Sequence, residues 1–118
     1  DPTDAPLPYT GPVVVLTDRF CISGAERMTQ RLKINSQIIQ LGDTTAGAFS
    51  TTGMRRFLPN GWEYQYPVEL PLDATGVTFE GRGLLPDIVV ENTPEEIEAG
   101  QDRILDEALN YIFDKYGI

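Results

Sequence analysis

At 118 residues the chain suits one small domain with a modest core and leaves little room for a second. Nine Lys and Arg against eighteen Asp and Glu give a net charge of -9, which repels a phosphate backbone and an anionic membrane surface alike and argues against nucleic acid as a partner. No apolar run is long enough to span a membrane, the single cysteine excludes an internal disulfide, and the lack of any histidine removes both the common zinc sites and the usual general base near neutral pH.

In chain order, residues 1–12 carry four prolines and read as an extended linker. They have neither the basic nor the apolar region of a signal peptide, and such a start suits a piece of something larger. Val13-Val14-Val15-Leu16 then predicts a strand buried on both faces of a parallel or mixed sheet. From Ser23 a helix is predicted, with Ala25, Met28 and Leu32 forming its apolar face. Ile38-Ile39-Gln40-Leu41, stopped by Gly42-Asp43, predicts a second strand beside the first after a helical crossover.

Two strands over 49–58 and 62–70 flank Pro59-Asn60-Gly61, a strong turn signal. Trp62, Tyr64, Tyr66 and Val68 alternate with polar residues and proline, so one aromatic face is expected to be packed and the other wet. A glycine-punctuated loop over 76–83 precedes a short strand over 86–90. Thr93-Pro94-Glu95-Glu96 starts a last helix whose apolar stripe is Ile97, Ile104, Leu105, Ala108, Leu109, Ile112 and Phe113, stopped by Gly117.

The residues that could carry chemistry each have a plainer use. Ser23-Gly24-Ala25-Glu26 has capping-box spacing, in which the serine oxygen accepts an amide and the glutamate reaches back. A serine between a buried strand and a helix start also suits a nucleophile, with the Gly24 amide and the helix dipole free to hold an oxyanion. Spacing alone does not choose. The segment 42–49 has the glycine spacing of a phosphate loop, but Ala48 and Phe49 stand where lysine and Ser or Thr are needed, so a nucleotide site is rejected and a surface turn is the plainer reading. Glu80 beside Arg82 suits an exposed salt bridge, Cys21 a small buried apolar group, and Glu91, Glu95, Glu96 and Glu98 dipole partners of a helix start.

The order VVVLTDRFCISGAERM, IIQLGDTTAGAFS, LPNGWEYQYPVELPLDATG, FEGRGLLPDIVV resembles the C-terminal processing, or tail-specific, serine peptidases over nearly the whole chain from Gly11. The resemblance implies an α/β fold of the crotonase and Clp-protease type, built from strand-strand-helix units, with 13–118 as the C-terminal part of the catalytic domain. It makes Ser23 the nucleophile, with Gly24 in place of the usual alanine supplying an oxyanion amide, and matches Glu26 to the family's glutamate in that segment. The Ser/Lys branch has its lysine where Ala48 stands, so that dyad is excluded.

Thr45-Ala46-Gly47 instead resembles the branch of tricorn core and the interphotoreceptor retinoid-binding protein modules. That branch implies a histidine from an earlier segment, supplied N-terminal to Asp1, and makes Glu80 the glutamate that helps orient the site. By the same resemblance the expected partner is a polypeptide substrate, no cofactor or metal is called for, and an exported location, periplasmic or secreted, is favoured. A non-catalytic binding or interaction module on the same fold is the alternative.

Overall fold

The computed structural model describes residues 9–50 and 52–117. The linker expected over 1–12 therefore lies outside the described residues except for 9–12, which form neither helix nor strand. Eight elements follow: β1 (Val13–Thr17), α1 (Gly24–Leu32), β2 (Ile38–Gly42), β3 (Thr52–Phe57), β4 (Glu63–Pro67), β5 (Ile88–Val89), α2 (Pro94–Glu98) and α3 (Arg103–Tyr116). The arrangement is a mixed α/β one.

β1, β2 and β5 form a parallel sheet in that spatial order, with Val13 opposite Ile38, Thr17 opposite Gly42 and Leu41 opposite Ile88. The β-branched runs of β1 and β2 supply the strands, and α1 makes the crossover that parallel pairing requires. α3 packs on β1 and β2, burying Ile104 and Ala108 against Leu41 and Val90, with Val14 and Ile88 alongside. β1 is only half-buried, and Leu16 is 40% exposed, so the two-sided burial expected of it is not met among the described residues.

The core also holds a paired polar knot. The fully buried Gln40 amide donates to Thr17 Oγ1 (2.9 Å) and the Leu84 carbonyl, and its oxygen accepts from Lys33 Nζ (2.9 Å). Lys33 also meets the Asp87 carboxylate at 3.2 Å, which in turn accepts the Gln40 backbone amide. These bonds lock the end of α1, β2 and the start of β5 together, so an amide is tolerated where an apolar side chain would be expected.

Three expectations change. First, α1 turns its predicted apolar face outward: Met28 is 63% exposed and Ala25 is exposed, while Glu26 and Thr29 are the buried residues. The neighbour on the inner side is a row of backbone amides, for which a carboxylate is the complementary partner. Second, the hairpin pairs as expected, Met54 with Tyr66 and Arg56 with Tyr64, but its aromatic side lies open, with Trp62 71% exposed. Phe49, expected in the first strand, instead precedes β3 and is fully buried.

Third, the last helix is two. Gly100 adopts φ 73° and closes α2, and Asp102 caps α3 by accepting the Leu105 amide at 3.1 Å. The Asn92 side-chain amide donates to the same carboxylate, and with the Leu105 amide it holds the Asp102 carboxyl below its ordinary range. The apolar stripe is consequently interrupted: Ile97 lies on α2, and on α3 only Ile104 and Ala108 are buried.

Candidate active site

Ser23 sits where the chain leaves β1 and turns into α1. Its backbone has φ 52° and ψ -113°, and among the described residues it is the one non-glycine with positive φ. Such a conformation costs on the order of 1–3 kcal/mol and persists only where its surroundings fix it. Here the Ser23 amide donates to the Ala48 carbonyl and to Glu26 Oε2, both at 3.0 Å. Ser23 and Glu26 are placed as a capping box, with Glu26 Oε2 accepting the Ser23 amide, but the exposed Ser23 hydroxyl makes no full hydrogen bond to a helix amide. The hydroxyl is left at a strained strand-to-helix turn, the placement a nucleophile needs.

Gly24 is the first residue of α1. Among the described residues its amide has no protein acceptor, and a Cβ built on it would meet nothing within 4 Å. A free amide at the positive end of a helix, one residue from a serine hydroxyl, is a suitable donor for an oxyanion.

Glu26 is fully buried and accepts three backbone amides: Ser23 on Oε2 at 3.0 Å, Ala48 on Oε2 at 2.9 Å, and Gly47 on Oε1 at 2.7 Å. One carboxylate thus fixes both the Ser23 turn and the segment 45–50. Arg27, next along α1, donates to the Phe49 carbonyl and forms a 2.6 Å ion pair with Glu69.

The 45–50 segment is no surface turn. Thr45 exchanges bonds with Leu84, Ala46 donates to the Cys21 carbonyl, and Gly81 donates to the Gly47 carbonyl at 2.7 Å. Gly47 and Gly83 let two backbones touch: a Cβ on Gly47 would lie 2.7 Å from the Arg82 and Gly83 nitrogens, and one on Gly83 would run into the Thr45 carbonyl oxygen. Phe49 is fully buried and stacks on Phe79 with ring centroids 5.3 Å apart.

Glu80 makes no ion pair with Arg82 among the described residues. Its Oε2 accepts both the amide (2.8 Å) and the hydroxyl (2.6 Å) of Ser50. Ser23 and Glu80 share no direct bond; residues 47–50 connect them, Ala48 bonding to Ser23 and Ser50 to Glu80. Ala48 thus lies one hydrogen bond from Ser23 and brings only a methyl group.

Cys21 is half-buried, and its thiol is pushed up, first by burial and then by the Glu26 and Asp18 charges. A cavity of about 490 Å³ at the carboxyl ends of β1, β2 and β5 is lined by Arg19, Phe20, Asp43, Glu91 and Ile97 among others, but by none of Ser23, Gly24 or Glu80. Among the described residues no group of acids or cysteine is arranged to hold a metal, and no helix is long and apolar enough to cross a membrane. The sequence pattern does not single out Ser50, and it marks Glu26 as a helix cap matched to a family glutamate rather than as a three-amide anchor. Nothing in the local pattern marks Ser50; only the fold brings it to Glu80.

The model of peptidase family S41 matches residues 2–90. The fold is similar to that of a provisionally assigned peptidase from Parabacteroides merdae, with a TM-score of 0.76 and 30% identity over 88% of this chain and 32% of that one. It is also similar to tricorn protease, with a TM-score of 0.75 and 20% identity over 89% of this chain and 10% of the other. The chain therefore spans about a third of the first of these proteins and a tenth of the second.

Proposed function

The chain belongs to peptidase family S41, and we propose that it is the nucleophile-bearing part of a serine peptidase catalytic domain that hydrolyses polypeptides. Ser23 Oγ attacks the scissile carbonyl and the Gly24 amide and the positive end of α1 hold the oxyanion; the C–N bond then breaks, the amine leaves with the proton that the base took from Ser23, and water later releases the acyl group from Ser23. With no histidine in the chain and a methyl group at Ala48, the proton of Ser23 passes to a base from a segment N-terminal to Asp1. Glu80 orients that base. The Thr45-Ala46-Gly47 segment favours the tricorn-like branch of the C-terminal processing peptidases, with a crotonase-type catalytic domain and an exported, periplasmic or secreted, location.

The observation that carries this reading is the pairing of a positive-φ serine, its hydroxyl free of a cap hydrogen bond, with an unpartnered helix-start amide on the next residue. The test is to treat the intact parent protein with a fluorophosphonate probe and map the adduct. Ser23 becomes modified and Ser23→Ala abolishes labelling; an unlabelled Ser23 in the active parent refutes the assignment. The 118-residue chain without its base reacts roughly 10⁴-fold more slowly than the parent, in line with the loss of a triad member.

A further inference from the structure

The geometry points to Ser50 as the positioning residue for Glu80, an inference that rests on Glu80 orienting a base brought from another segment. A glutamate side chain has three rotatable bonds and, unrestrained, samples many orientations. Here both donors of one residue, the Ser50 amide at 2.8 Å and its hydroxyl at 2.6 Å, converge on the same oxygen, Oε2. Among the described residues Oε1 accepts from nothing, so the carboxylate is held by one oxygen and offers the other.

Both ends of this contact are themselves fixed. Ser50 follows the fully buried Phe49, and the Glu80 amide donates to Thr78 Oγ1 at 3.0 Å while the next residue, Gly81, donates to the Gly47 carbonyl. The same segment that ends in Ser50 receives the Ser23 amide at Ala48. Ser50 therefore sets the distance at which Glu80 Oε1 meets a donor, relative to the backbone that holds the nucleophile. A misplacement of about 1 Å at such a position can cost up to about a hundredfold in rate.

Ser50→Ala in the intact parent removes the hydroxyl but keeps the backbone amide, so the two loops stay tied. We expect kcat for a peptide substrate to fall between about tenfold and a hundredfold at unchanged KM. In a Glu80→Gln background the same change should lower kcat by less than about twofold, because residues acting as a unit are not additive. A normal kcat in Ser50→Ala, a change confined to KM, or a full multiplicative loss in the double variant overturns the role of Ser50 while leaving Ser23 as nucleophile. Unchanged activity in Ser23→Ala overturns both.

Discussion

Replacing Glu26 with glutamine changes one atom and should be among the most damaging substitutions in the chain. The carboxylate meets three amides, two on Oε2 and one on Oε1, in a site with no solvent exposure. Glutamine offers one oxygen. In its better orientation that oxygen keeps Ser23 and Ala48, and the NH₂ group is pushed against the Gly47 amide, leaving two donors face to face. A hydrogen bond to a carboxylate contributes about 1.5–3 kcal/mol and a buried unpaired amide costs about 1–3 kcal/mol, so the overlapping losses come to roughly 2–4 kcal/mol. With a urea m-value of about 2 kcal/mol/M for a chain of this size, the midpoint should drop by about 1–2 M. Urea titration of the 118-residue chain, read by far-ultraviolet circular dichroism, measures this. A Glu26→Gln midpoint within about 0.25 M of wild type would show that the three amides are satisfied some other way and would refute the anchor role.

Three further outcomes follow from the same geometry. Gly47→Ala should cost about 2 kcal/mol or more, because its Cβ would meet two backbone nitrogens at φ 76°, whereas Gly24→Ala should be neutral or stabilising by up to about 1 kcal/mol; thermal melts of the pair check this contrast. Ser23→Gly should raise the melting temperature by relieving the positive φ, and Ser23→Ala should avoid the loss of about 1 kcal/mol that removing a working cap brings; a drop of that size would reinstate the capping role. Cys21 should be alkylated by iodoacetamide with a pH midpoint above that of a free thiol, since burial raises it. Because the folded thiol holds its proton more tightly than the unfolded one, Cys21 favours unfolding as pH rises past the ordinary thiol range, and a midpoint at or below the free-thiol value would contradict the burial.

The elements most plainly legible in the sequence were those whose pattern is local. The parallel β1 and β2 with a helix between them, the hairpin at Asn60-Gly61, and the Thr93 cap all follow from runs and turn residues a few positions apart. The failures share a different cause. Periodicity assigned Met28 and Ala25 to the inner face of α1, but the inner face meets backbone amides of 47–48, and what lies there depends on a loop twenty residues away. The aromatic side of the hairpin was expected to be packed because alternation marks a packed side, and no periodicity can say which element would cover it. Within the candidate site, the Ser23 turn was legible from its place between strand and helix. The strained φ, the Ser23 hydroxyl left without a cap hydrogen bond and the Ser50–Glu80 contact were not, because each is set by tertiary hydrogen bonds.

The open aromatic side of the hairpin has one more consequence, which is optical. Trp62 is the single tryptophan of the chain and is 71% exposed, so ultraviolet-excited emission above 300 nm comes mainly from one indole in contact with water. Covering that side would remove the indole from water and shift its emission to the blue. Trp62 is thus a gauge of whether that side is wet or covered, readable without a label and without altering a residue of the Ser23 and Glu80 region.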